Sequence, residues 1–132
     1  MRQLTVFVAV TPPSLLRLIG HLLEDQPEFR IVGRATEARS LVRLSGRLAP
    51  DLIVTSIRLL GREKSEALFK VRRSSPDSRL ILIHPFRRVA WHLVRADAHV
   101  PEESLVRCLV PAARSFHGRL SQTAIVNSGA LR

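Results

Sequence analysis

The sequence predicts an α/β protein built on a doubly wound, five-stranded parallel sheet, and three observations support this fold class. Short apolar runs rich in β-branched residues recur along the chain, as is typical of strands buried on both faces of a sheet. Segments with apolar residues at helical spacing separate these runs. The connections are short, so strands and helices alternate as in consecutive βαβ units with right-handed crossovers.

The first strand and helix have the clearest pattern. Residues 4–10 are almost all apolar, which predicts a central strand. Thr11 is the predicted N-cap of a helix over about residues 12–25, with Pro12 in its first turn.

The rest of the chain repeats this alternation. Pro27 ends the first helix, and Gly-, Pro- or Ser-containing breaks separate the later elements. The later strands are predicted at residues 29–33, 52–57, 80–83 and 98–100, and the later helices around residues 41–48, 67–71, 88–95 and 105–116.

Length and composition predict one domain. The 132 residues, 45% of them apolar, are enough for a single core. We expect residues 1–116 to form this domain and the polar residues 117–132 to form a C-terminal tail or linker.

No apolar stretch approaches the ~20 residues of a bilayer span, and the N-terminus lacks the pattern of a secretory signal. We therefore expect a cytoplasmic protein without membrane contact.

The net charge of +10 is high for a small domain. All but two of the 21 basic residues are arginines spread over the chain, and an arginine bias from a GC-rich genome explains this pattern without a functional role. Arg39, Arg43 and Arg47, four apart on one predicted helix, form the one clear stripe. Nucleic-acid binding through this stripe, with Arg87 and Arg88, therefore stays open as an alternative function.

Functional side chains in parallel α/β sheets lie at the carboxyl ends of the strands. These positions carry Val10 and Thr11, Ser56, His84 and residues 100–103. A Ser56–His84 nucleophilic pair is conceivable, but a glycine-flanked nucleophile turn and an acid to orient His84 are lacking. We expect instead that the two side chains hydrogen-bond each other or the backbone, in a protein that is not an enzyme.

Other chemistry has little support in the sequence. The remaining histidines and the single cysteine, Cys108, lack metal-ligand spacing, and the glycines form no phosphate-binding loop. We expect neither a metal nor another cofactor.

The sequence resembles the receiver domain of bacterial two-component response regulators, particularly the LuxR/NarL type that is joined to a helix-turn-helix. The resemblance runs without a gap from about residue 4 to residue 84 and implies a flavodoxin-like strand order of 2-1-3-4-5. Residues 84–98 are about one turn shorter than usual, which implies an irregular fourth helix and fifth strand. The matching positions include Leu22–Glu24, Pro27–Phe29, residues 31–35, residues 50–54, Arg58, Gly61 and residues 75–79.

The resemblance also implies a degenerate phosphorylation site. An active receiver transfers a phosphoryl group to an aspartate, using magnesium held by carboxylates. Here Val10 and Thr11 stand at the acidic pair, Ser56 at the acceptor and His84 at a Ser or Thr position. In the usual register, Glu102 stands at the lysine position; otherwise the lysine position is lost in a shortened loop. This implies a pseudo-receiver that works by binding, independently of phosphorylation.

Partners follow from the same resemblance. In the family, the fourth helix, fifth strand and fifth helix carry the dimer contact and the output. The predicted interaction face therefore includes Arg88, Trp91, Arg95 and His99, although Trp91 is equally compatible with a role in covering the core. We expect a homodimer that acts on a protein partner or output domain in signal transduction or transcriptional regulation.

Overall fold

The computed structural model describes residues 2–85 and 95–116. Five strands form one sheet in the order β2-β1-β3-β4-β5, and every neighbouring pair is parallel. The predicted fold class and strand order are confirmed. The strands are β1 (Leu4–Ala9), β2 (Phe29–Ala35), β3 (Leu52–Ser56), β4 (Arg79–His84) and β5 (Ala98–Pro101).

Helices connect β1 to β2, β2 to β3 and β3 to β4 at the predicted places, and another helix follows β5. A one-turn helix and two 3-10 turns, Gly61–Glu63 and Glu102–Ser104, were not apparent from the sequence. The helix predicted around residues 88–95 lies outside the described residues except for Arg95, and the predicted tail or linker at 117–132 lies outside them entirely. The helices are α1 (Pro13–Glu24), α2 (Ala38–Leu48), the one-turn α3 (Ile57–Leu60), α4 (Lys64–Ser74) and α5 (Leu105–Arg114).

The core has two layers because successive side chains of each strand point to opposite faces of the sheet. Val6, Val8 and Val54 contribute to the layer that packs against α1 and α5. Phe7 and Ile53 contribute to the layer that packs against α2 and α4. Since both faces are covered, the central strands are apolar at nearly every position, which explains the unbroken apolar runs.

The start of α1 differs from the prediction. Pro12, not Thr11, is the N-cap, and Pro13 is the first helical residue. A residue that precedes proline is disfavoured in the helical region, so Pro12 stays extended and the helix begins one residue later. No side chain caps this helix.

The connection after α3 depends on a glycine. Gly61 has φ 71° and ψ −150°, a conformation that side chains with a Cβ rarely adopt. Gly61 ends α3, and its backbone conformation lets the chain turn into the 3-10 segment that leads to α4.

Candidate functional site at the carboxyl edge of the sheet

Strand β1 presents no polar pair at its carboxyl end. Val10 is fully buried and belongs to the core layer beneath α1 and α5. Its backbone N–H donates to the carbonyl oxygen of Ala35, 3.1 Å away. Thr11 is half-buried. The first of the predicted site residues is therefore a packing residue, and the second offers a neutral hydroxyl.

Ser56, at the end of β3, serves as a helix cap. It is completely buried, and its Oγ accepts a hydrogen bond from the backbone N–H of Leu59 at 3.3 Å. The extended backbone of Ser56 and this bond make it the N-cap of α3. The hydroxyl thus satisfies a donor of the helical turn that follows it directly.

His84, at the end of β4, is completely buried and pairs with His99 of β5. The His84 Nε2 and His99 Nδ1 atoms are 2.7 Å apart, and the ring centroids are 4.9 Å apart. His84 lies opposite Pro101 in the sheet, so His99, two residues earlier, projects from the same face. The sequence placed His84 at the site but did not link it to His99.

Burial, followed by the neighbouring charge of His99, lowers the pKa of His84 from 6.5 to about 4. Burial also lowers the pKa of His99. Two neutral rings can share one hydrogen bond, with one nitrogen donating and the other accepting, whereas two imidazolium rings cannot. The pair is therefore a neutral hydrogen-bonded unit at neutral pH.

Of the two alternatives predicted for Ser56, the structure has the contact with the backbone and not the contact with His84, whose ring is bonded to His99. Ser56 lies opposite Ile83 in the sheet, so His84 projects from the other face. No hydrogen bond joins the two side chains, because Ser56 caps α3. The described residues therefore contain no Ser–His nucleophilic pair at this edge.

Glu102 pairs with an arginine that follows β3. Arg58 Nε donates to Glu102 Oε2 at 2.8 Å, and a second guanidinium nitrogen lies 3.4 Å from Oε1. The hydrogen bond from Arg58 to Glu102, and then the charge of Glu102, raise the pKa of the guanidinium. Because 44 positions separate the two residues in sequence, only the fold brings them together.

This set of side chains does not fit a magnesium ion, which requires hard oxygen ligands, usually carboxylates. Val10 has no ligand atom, the Ser56 oxygen is occupied by a backbone N–H, and Glu102 is paired with Arg58. In residues 2–85 and 95–116, no three His, Cys, Asp or Glu side chains are grouped to hold a metal.

The predicted interaction face is only partly described. His99 is half-buried, with its ring against His84. Arg95 is exposed, and its carbonyl oxygen accepts a hydrogen bond from Arg72. Trp91 and Arg88 lie outside the described residues, as does Arg87.

All three arginines of the α2 stripe are exposed, but only two of them line a groove. Arg39 and Arg43 line a groove of about 470 Å³ between α2 and α4, whereas Arg47 does not. Sequence reasoning missed this groove, because it depends on how α2 and α4 pack. The groove is also lined by Ala38, Val42, Leu60, Glu63, Glu66, Ala67 and Lys70.

No helix within the described part of the chain is long and apolar enough to cross a membrane.

Part of the sequence is similar to two known proteins. No protein-family model matches the sequence. The chain is 28% identical over 82 residues to a protein-glutamate methylesterase/protein-glutamine glutaminase of Myxococcus xanthus. It is 31% identical over 68 residues to the transcriptional regulatory protein LiaR of Bacillus subtilis. These matches cover 62% and 52% of this chain but only 23% and 32% of the relatives.

Solved structures provide a match over nearly the whole domain. The signal receiver domain of the response regulator NarL from Mycobacterium tuberculosis has a TM-score of 0.78 with this chain at 18% sequence identity. The match covers 90% of this chain and 99% of that domain. The chain therefore has the fold of a response-regulator receiver domain.

Proposed function

We propose that this chain is a receiver-like module of signal transduction that regulates through protein contacts and does not use aspartyl phosphorylation. The observation that carries the proposal is the state of Ser56. At the position of the acceptor aspartate, it offers a buried hydroxyl that already caps α3. A serine hydroxyl cannot form an acyl phosphate, and no acidic pair accompanies it at the end of β1.

The residues that stand in place of the phosphorylation site make contacts that hold this edge of the sheet together. The His84–His99 hydrogen bond joins β4 to β5, and the Arg58–Glu102 ion pair joins the end of β3 to the end of β5. An active receiver needs a metal ion to balance the negative charge of its acidic site and of the phosphoryl group. Here the edge is held by one neutral pair and one balanced ion pair, so it keeps one arrangement without either ligand.

Output through a homodimer and a transcriptional partner is part of the proposal. Val106 on α5 is 67% exposed, which leaves an apolar side chain available on one of the elements of the expected dimer face. The relative LiaR is named a transcriptional regulatory protein, and this supports a transcriptional output.

The phosphorylation test uses acetyl phosphate or beryllofluoride with magnesium on the 132-residue chain. We expect no added mass and no saturable change in the amide NMR spectrum, while a receiver that retains its aspartate changes in both assays. The Ser56→Asp variant should also stay inert, because one carboxylate without the acidic pair makes a poor magnesium site. Added mass at Ser56, or a saturable magnesium-dependent shift in the parent chain, would refute the proposal.

A further inference from the structure

The groove between α2 and α4 has an apolar floor between two charged walls. Ala38, Val42, Leu60 and Ala67 form the floor. The groove is large enough for several side chains of a bound segment, at about 470 Å³. An apolar floor flanked by charges is typical of surfaces that bind amphipathic peptide segments.

The α2 wall carries two arginines without an ion partner among the described residues. Arg39 and Arg43 are one turn apart, about 6 Å along the helix axis, and both are exposed. Elsewhere on the surface, arginines close to carboxylates do pair with them, as Arg34 does with Glu24 and Arg114 with Glu28. The guanidinium groups of the α2 wall are therefore available for carboxylates from outside the described chain.

The α4 wall has a different charge. Glu63 and Glu66 line it, and Glu66 lies 3.5 Å from Lys70. A phosphate backbone lying in the groove would bring its negative charges close to these carboxylates. A peptide can place its acidic side chains against α2 and its apolar side chains over the floor, so the charge pattern favours a peptide over a nucleic acid.

We propose that the α2–α4 groove docks an acidic, amphipathic segment of a protein partner. Carboxylates of the partner pair with Arg39 and Arg43, whose planar guanidinium groups match carboxylates in a two-pronged geometry. An aliphatic side chain of the same segment covers Val42 and Ala67. The inference deepens the proposed function, because it names the surface and the chemistry of a partner, but it uses none of the residues at the strand edge.

The test is a selection of random peptides displayed on phage against the 132-residue chain. Enriched peptides are then labelled with fluorescein, and their binding is measured by fluorescence anisotropy. We expect the enriched peptides to combine acidic and aliphatic residues. Arg39→Glu and Arg43→Glu should each weaken binding about tenfold or more, as expected when a charge-assisted hydrogen bond is replaced by repulsion.

Two further variants distinguish binding in the groove from a general effect of surface charge. Arg47→Glu changes the same charge on the same helix outside the groove and should weaken binding less than threefold, a loss of about 0.6 kcal/mol or less. Ala67→Glu adds an acidic side chain to the floor and should abolish binding while circular dichroism remains that of the parent. If Ala67→Glu does not fold, the comparison of Arg43→Glu with Arg47→Glu decides alone.

The inference is overturned if no peptide is enriched, if the enriched peptides are not acidic, or if Arg43→Glu and Arg47→Glu weaken binding equally. It is also overturned if a DNA duplex competes with the peptide and loses affinity specifically on Arg39→Glu and Arg43→Glu. The beryllofluoride experiment is independent of these results. A positive response there with groove-dependent peptide binding would remove phosphorylation independence and leave the docking site intact.

Discussion

At the scale of single residues, burial of His84 makes stability depend on pH. The unfolded chain binds a proton at His84 near pH 6.5, whereas burial and His99 hold its folded pKa at about 4. Between these values the unfolded state binds more protons, so stability is fully present above pH 6.5 and is lost as the pH falls toward 4. His99 shares in this loss, because burial lowers its pKa as well.

Urea unfolding at several pH values tests this dependence on the parent, His84→Gln and a control, His21→Gln. His21 is exposed on α1, so its replacement should leave the pH dependence unchanged. His84→Gln should make the stability curve flatter between pH 6.5 and pH 4. Equal slopes for parent and His84→Gln would show that His84 does not carry the effect.

Asp51 lies at the amino-terminal edge of the sheet, opposite the candidate site, and links β1 to the start of β3. Its carboxylate accepts hydrogen bonds from the backbone N–H of Thr5 at 2.9 Å and from Arg2 at 2.9 Å. Burial acts to raise the pKa of Asp51, but the hydrogen bonds from Thr5 and Arg2 outweigh it, so the pKa lies below its usual value. The stability from these bonds is therefore present at neutral pH and lost as acid protonates the carboxylate.

We expect Asp51→Ala to lower the free energy of unfolding at neutral pH by about 2 kcal/mol, because the Thr5 N–H loses its acceptor. Asp77→Ala, in an exposed turn, is the matched control and should change it by less than about 0.5 kcal/mol. A similar small change in both variants would contradict a role of Asp51 in joining β1 to β3.

At the scale of elements, α2 ends at Ala49, whose backbone conformation is unfavourable for a residue with a Cβ. Ala49 has φ 42° and ψ 56°, and its N–H donates to the carbonyl oxygen of Ser45. Helices commonly end in this left-handed conformation, but usually with glycine, since a Cβ makes it unfavourable by about 1 kcal/mol.

The same substitution should therefore have opposite effects at two sites. Ala49→Gly should raise the free energy of unfolding by about 0.5 kcal/mol, after the added freedom of the unfolded chain is subtracted. Ala67→Gly, inside α4, should lower it by about 1 kcal/mol. Chemical unfolding measures both, and a loss of stability in Ala49→Gly would refute the argument.

At the scale of the whole molecule, the sequence predicted a parallel sheet because both faces of the central strands are buried, whereas the strand order was implied by the resemblance to receiver domains. This requirement leaves apolar runs such as residues 52–54 in the sequence. The sequence also placed Ser56 and His84 at the same edge. It could not predict the His84–His99 and Arg58–Glu102 contacts, because these join residues 15 and 44 positions apart. The face from which each side chain projects depends on strand register, and this separated Ser56 from His84.

The net charge of +10 favours a general attraction of the molecule to nucleic acids. Exposed arginines lie on several helices, among them Arg17 on α1, Arg47 on α2 and Arg62 before α4. Such dispersed charge attracts a polyanion without a defined site, and release of counterions makes that attraction steeply dependent on salt. We therefore expect weak duplex DNA binding at ~50 mM salt that disappears at ~200 mM. Because no single site is involved, Arg17→Glu, Arg47→Glu and Arg43→Glu should weaken it to a similar extent in anisotropy titrations. A much larger loss for Arg43→Glu and Arg47→Glu than for Arg17→Glu would instead identify the α2 stripe as a nucleic-acid site and favour the alternative function.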